Sequence, residues 1–172
     1  IPLVLEQAHV ADFLLERLKL EPKQPTKIQG WKTMVAELKR QKPSIKIGLV
    51  GKYVELHDAY LSVREALNHA ALFYGVDVDL QWISSTAIEK DNIQDVLVGL
   101  DGILVPGGFG SRGVEGKILA AQYARENHIP YLGLCLGLQV MMIDFARNVL
   151  GLKNADSAEF DKLTPDPVID LM

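Results

Sequence analysis

The sequence holds a single cysteine, Cys135, in 172 residues. One thiol cannot close an internal disulfide, and without a second cysteine there is no CxxC redox pair and no thiolate metal cluster. The default setting for such a chain is reducing, which points to the cytoplasm. Long apolar runs are also missing: no stretch approaches the ~20 residues that a membrane-spanning helix requires. The opening Ile1-Pro2-Leu3-Val4-Leu5 has no basic lead and no Met, so it does not read as a secretory signal, and Ile1 reads as an internal position. Lys and Arg form no run and gather on no single face, and the net charge is −4, so the electrostatic footprint of a nucleic-acid or acidic-lipid binder is lacking. Internal repeats, low-complexity tracts, a P-loop and any metal-ligand cluster are absent too. With 48% apolar and 23% charged residues the balance is that of a globular domain, which excludes disordered and coiled-coil classes and favours a small polar substrate.

What is present is a periodicity that changes along the chain. Over residues 3–20 the apolar positions recur every three or four residues, which predicts a helix, and Glu21-Pro22-Lys23-Gln24-Pro25 ends it as a linker. Residues 31–42 predict a second helix with Trp31, Met34, Val35 and Leu38 on one face, stopped at Pro43. Beyond Pro43, short apolar runs alternate with helical periodicity, the signature of repeated βαβ units. Strands are expected at 45–50, 76–83, 102–105 and 130–134. Helices are expected at 58–74, closed by Gly75, then at 92–98, 116–127 and 138–150, the last capped by Gly151. The fold class is therefore α/β, Rossmann-like, with a mainly parallel sheet. The tail over 154–172 is polar and interrupted by proline, so the sheet reads as incomplete at its C-terminus.

Chemistry concentrates at Gly133-Leu134-Cys135-Leu136-Gly137, which ends one strand and opens a helix. This is the G-x-S-x-G nucleophile elbow with sulfur in place of oxygen. Glycines two residues to either side leave room for a tight turn that lifts the nucleophile to the carboxyl end of the sheet, where α/β proteins bind ligands. The helix N-terminus there favours a thiolate. A lone free cysteine is ordinarily a small buried hydrophobe; the flanking glycines at a strand-to-helix junction reverse that expectation. Acyl transfer also needs donors for a developing oxyanion. Leu136 N–H is the first, and Gly108 is the second, in Pro106-Gly107-Gly108-Phe109-Gly110 at the end of the neighbouring strand. Gly108-Phe109-Gly110-Ser111-Arg112-Gly113 also fits the G-x-G-x-x-G dinucleotide pattern, but the next strand then ends in Cys135 instead of the acidic residue that would hold a ribose.

Together, the glycine loop at 106–110 and the elbow through Leu138-Gln139 resemble the class I, triad-type glutamine amidotransferases. Gly48-Leu49-Val50-Gly51-Lys52-Tyr53, Asp58-Ala59-Tyr60, Phe109-Gly110-Ser111-Arg112-Gly113 and Ala158-Glu159-Phe160-Asp161 resemble the CTP synthase family in particular, and the similarity runs over essentially the whole chain. The resemblance implies a flavodoxin-like fold that hydrolyses L-glutamine through a Cys135 thioester and passes ammonia to a synthetase domain. That domain aminates UTP to CTP with Mg-ATP, and no cofactor or metal belongs to this chain itself. It further implies that residues 1–24 are the tail of the synthetase domain, 25–43 a linker helix and 44–172 a partial amidotransferase domain. Gly108, Leu136, Gly137, Leu138 and Gln139 would line the glutamine site, with Glu159 holding the substrate ammonium, a pairing that charge complementarity favours. Arg112 would lie in a region that responds to GTP as allosteric activator, and the full enzyme would be a homotetramer. Lys52 and Tyr53 follow the first strand on the same rim and receive no role.

The pattern departs from the family in one respect. A triad needs a His base and an acidic partner, and the family places both beyond the equivalent of Met172. The four histidines here are His9, His57, His69 and His128, of which only His57 follows a strand on the Cys135 rim. Little or no turnover is therefore expected of this chain alone. Two other readings stand beside this one: a non-catalytic nucleotide-binding or interaction module on an amidotransferase-like scaffold, and another cysteine α/β hydrolase or amidotransferase with a different acceptor.

Overall fold

The switch of periodicity at Pro43 is where the chain divides. A computed structural model describes residues 1–21 and 27–170 and separates into two units, Ile1–Lys42 and Pro43–Met172. The linker prolines Pro22 and Pro25, and the boundary expected between residues 24 and 25, lie outside the described residues. Among those described, no helix is long and apolar enough to cross a membrane.

The described residues of the first unit form three helices, α1 (Pro2–Gln7), α2 (Val10–Leu18) and α3 (Gln29–Lys39). The single helix expected over 3–20 is thus two. His9 takes the left-handed conformation at φ 53°, a region that histidine tolerates better than most residues, and its Nδ1 lies 3.0 Å from Asp12 Oδ2 in the first turn of α2. Periodicity alone does not register a break that keeps the apolar positions on one side. None of the three helices holds a buried residue.

In the second unit β1 (Ser44–Gly51) leads through a 3₁₀ turn (His57–Tyr60) into α4 (Leu61–Tyr74) and β2 (Asp77–Ser84). Then follow α5 (Ile93–Leu97), β3 (Gly102–Val105), α6 (Val114–Glu126), β4 (Tyr131–Gly133) and α7 (Leu136–Asn148). The four strands pair in parallel in the order β2-β1-β3-β4. In this unit three helix starts differ from expectation by two residues or more, and the other bounds by at most two. The helix expected from 58 begins as a 3₁₀ turn, α6 starts at Val114, and α7 starts at Leu136, directly after Cys135. The tail expected to be irregular holds a short parallel pair, β5 (Asp156–Ser157) and β6 (Pro167–Ile169); strands of two and three residues are too brief to show alternation.

Alternate strand residues feed two cores, as the pleat requires. Val50, Ile103 and Val105 pack on one face with Ile118 and Tyr123 of α6 and Leu136, Val140 and Ile143 of α7. Leu49 and Leu104 pack on the other face with Val54, Tyr60 and the α4 residues Val63 and Leu67. Between α6 and α7 a buried carboxylate is fully engaged. Asp144 is 1% exposed and accepts from Arg125 Nε at 2.9 Å, Arg125 Nη2 at 3.1 Å and Asn148 Nδ2 at 2.8 Å. Removing the cation strands a buried anion, which costs far more than the pair contributes. Arg125→Met is accordingly expected to lower unfolding free energy by about 2–3 kcal/mol, while Arg125→Met combined with Asp144→Leu recovers most of the loss; urea denaturation of both variants measures it.

Candidate active site

Parallel pairing of β3 with β4 sets Val105 beside Gly133, so the loop after β3 and the turn after β4 emerge together at the carboxyl edge of the sheet. The turn is tight because backbone meets backbone. A Cβ on Gly133 would run into the backbone of Gly137 and Leu138, and a Cβ on Gly137 would run into the carbonyl of Val105. Only glycine fits either place, and the residue between them absorbs the bend: Cys135 sits at φ 53°, ψ −109°, a region that an L side chain seldom occupies without structural compulsion. Its carbonyl already accepts the helical N–H groups of Leu138 at 3.0 Å and Gln139 at 3.3 Å, so the strained residue leads directly into α7. The thiol is exposed.

The glycine loop packs against this elbow. A Cβ at Gly107 would lie 3.4 Å from Cys135 Cβ and 4.0 Å from its Sγ. One at Gly108 would lie 3.6 Å from Leu136 Cδ2 and 3.3 Å from Lys117 Nζ. Leu136 is the first residue of α7, so its N–H has no acceptor inside the helix. Gly108, one of the two expected oxyanion donors, thus packs beside the side chain of the other, Leu136. The loop that fits G-x-G-x-x-G follows directly on Gly107, the residue packed on Cys135, and Gly110 and Gly113 turn it with φ of 74° and 76°. Lys52 Nζ donates to Phe109 O at 3.0 Å, and Arg112 lies exposed with its guanidinium 5.7 Å from the centre of the Tyr53 ring. Burial, and next the charge of Lys52, hold the Lys117 ammonium below its ordinary pKa.

Gln139 and Glu159 share a cavity of about 480 Å³ lined also by Ser157, Ala158, Lys162, Ile169 and Asp170. Gln139 is four residues beyond Cys135, on the same side of α7. Glu159 is placed by the β5 turn, where its N–H donates to Ser157 Oγ at 3.2 Å. Arg147 of α7 fastens that turn: its Nε donates to Ala155 O at 2.7 Å, its Nη2 to Asp156 at 3.0 Å and its Nη1 to Glu115 of α6 at 3.0 Å. Gly108, Cys135 and Arg112 are not part of the cavity lining. Lys162, Ser157 and Asp170 are wall residues that sequence reasoning missed; the only available signal was their proximity to Glu159.

The histidines of this unit are placed elsewhere. His57 stacks on Trp82 with ring centres 4.3 Å apart. Trp82 belongs to β2, the edge opposite β4, and three strand spacings make ~14 Å. His57 is therefore not the base for Cys135. His69 lies in α4, and His128, at φ 55°, precedes β4 at the end remote from the thiol.

An α/β fold with a cysteine elbow facing a glycine loop defines a class of thiol-dependent acyl-transfer domains. Residues 55–163 match the family model of the class-I glutamine amidotransferases, and the chain belongs to that family. Within it, the chain is similar to CTP synthases over its full length. It is 56% identical over 173 residues to the CTP synthase of Roseiflexus sp. (strain RS-1) and covers 31% of that relative. To the CTP synthase of Bacillus velezensis it is 52% identical over 172 residues and covers 32%. The chain thus spans about a third of the length of these relatives. The solved glutaminase domain of Trypanosoma brucei CTPS with bound acivicin matches 74% of this chain and 50% of its own, with TM-score 0.70 and 43% identity.

One further bond locks the elbow. The Tyr131 hydroxyl donates to Gly137 O at 2.8 Å, and burial, followed by the Asp144 carboxylate, pushes the phenol well above its ordinary pKa of 10.0. An unfolded tyrosine ionises near ~10 while the folded one stays protonated, so its contribution is complete below that pH and is lost as pH rises above it. Tyr131→Phe is expected to cost about 1 kcal/mol at neutral pH and to flatten the loss of stability above ~pH 10; urea denaturation at the two pH values tests this.

Proposed function

We propose that this chain is part of the glutaminase portion of a CTP synthase, hydrolysing L-glutamine through a thioester on Cys135 and supplying ammonia for ATP-dependent amination of UTP to CTP. The observation that carries the reading is the strained Cys135, held between two obligatory glycines, with Gly107 packed on it and Gly108 packed on the neighbouring Leu136. The thiolate attacks the side-chain amide carbon, and the amide oxygen gains charge as it accepts hydrogen bonds from the N–H groups of Gly108 and Leu136. The C–N bond breaks, the nitrogen leaves as ammonia after gaining a proton, and water then cleaves the thioester to give glutamate. Glu159 pairs with the substrate ammonium, and Gly137, Leu138 and Gln139 line the approach from the first turn of α7.

The proton transfers need a base, and none of the histidines in this unit is placed for it. Residues 1–172 alone are therefore inferred to turn over little or no glutamine, with the His and acidic partner supplied by sequence equivalent to that beyond residue 172 in the family. Chemistry on UTP and Mg-ATP belongs to the synthetase domain of the relatives. A cytoplasmic setting, a homotetramer and activation by GTP near Arg112 are further parts of this reading.

The complete protein is expected to incorporate one equivalent of a glutamine-shaped electrophile at Cys135, located by peptide mass spectrometry. Cys135→Ala is expected to abolish that labelling and to lower glutamine-dependent CTP formation by about 10³-fold or more, with CTP formation from free ammonia retained. A folded wild-type protein that takes up no label would overturn the assignment.

A further inference from the structure

We propose that Lys52 and Lys117 are positioning residues that fix and polarise the loop carrying Gly108, so that two ammonium groups stand behind the oxyanion donors; this deepens the glutaminase reading above and rests on it.

The two lysines hold the loop from different sides. Lys52 leaves the end of β1, and its ammonium donates to Phe109 O at 3.0 Å, lying also 3.9 Å from where a Cβ of Gly110 would be and 5.5 Å from the centre of the Tyr53 ring. Lys117 rises from α6 and is only 1% exposed. Its ammonium approaches Gly108 on the side where Leu136 also packs. Among the described residues, neither lysine forms an ion pair, and Lys117 makes no hydrogen bond through its side chain.

An ammonium with no ion pair at the end of a nearly buried side chain is costly even where it keeps some contact with water, and a second cation nearby raises the cost. The arrangement is therefore poor for stability in the resting protein. It becomes favourable when negative charge arises beside it. That charge arises at the amide oxygen of glutamine when Cys135 attacks, between the N–H groups of Gly108 and Leu136. The loop between the thiol and Lys117 is one dipeptide, since Gly107 meets Cys135 and Gly108 meets Lys117, and successive Cα atoms are ~3.8 Å apart. Fixed charge at such a distance in a partly dry site assists the transition state more than the ground state. The lysines do not reach the reacting atoms themselves: Lys52 acts through the Phe109 carbonyl and Lys117 through the backbone of Gly108.

The test uses the complete protein with Lys52→Met and Lys117→Met, which keep the length of the stem and remove the charge. Each is expected to lower kcat for glutamine hydrolysis by about ten-fold, less than the loss of a direct donor, with KM for glutamine within about two-fold. Alkylation of Cys135 by iodoacetamide, which forms no oxyanion, should proceed at the wild-type rate. The melting temperature of Lys117→Met should rise, because a buried unpaired charge is gone. Unchanged kcat in both variants overturns the proposal, as does a fall in kcat matched by slower alkylation and a lower melting temperature, which marks a merely structural role. If Lys117→Met yields no folded protein, Lys52→Met, whose side chain is only part-buried, decides by the same readouts. If the wild-type protein releases no glutamate from glutamine, or Cys135→Ala releases it as fast, the glutaminase reading itself has failed, and this proposal with it.

Discussion

Everything at the candidate site depends on how closely the turn after β4 is pressed against β3 and against its own helix. Gly133 faces the backbone of Gly137, and Gly137 faces the carbonyl of Val105, with no space for a side chain at either contact. That double contact leaves Cys135 to take up the curvature at φ 53°. The same compression starts α7 at Leu136, leaves the first N–H of the helix without an internal acceptor, and brings Gly107 against the thiol. The cost of the strained residue is of order 1–3 kcal/mol, and the surrounding structure supplies it through Val105, Leu136 and Val140 in one core, the Tyr131 bond to Gly137 and the Asp144 network behind α7.

How much of this the sequence discloses depends on the range of the interaction. The strands and elbow were legible because buried parallel strands are short apolar runs bounded by Gly and Pro, and β3 coincides with the run expected at 102–105. The nearness of Gly108 to Leu136 was legible because adjacent parallel strands deliver their following loops to one edge. The start of α7 was not, since Leu134 to Leu138 is apolar throughout and carries no cap signal. β5 and β6 were not, because strands of two and three residues show no alternation and β5 is held by Arg147 reaching from α7. Lys117 was not, because a helical lysine is solvent-facing by default; its burial is decided by which face of α6 meets the glycine loop.

The site has two parts with different physical character. Around the thiol, geometry is enforced by contacts that exclude atoms, and the electrostatics come from backbone N–H groups and from lysines without acidic partners. Around the cavity, Glu159, Lys162 and Asp170 present charges of both signs, the complement to an amino acid, which carries an ammonium and a carboxylate. In the proposed reading, a zwitterion anchored by its α-carbon groups in the second part would extend its side chain toward the first.

In that reading the two parts must keep a fixed separation for the extension to end at Cys135, and Arg147 ties together the elements that carry them. Arg147 is on α7, the helix that begins at the nucleophile, and it holds the carbonyl of Ala155 and the carboxylate of Asp156 just before the turn that bears Glu159. Its third contact, to Glu115, reaches the first turn of α6, which begins where the glycine loop ends. One guanidinium therefore joins α7, which begins after Cys135, α6, which follows the glycine loop, and β5, which precedes Glu159. Misplacement of a reacting carbon by ~1 Å can cost two orders of magnitude in rate. The rigid planar fork of arginine suits such a junction, where a lysine would offer charge without direction.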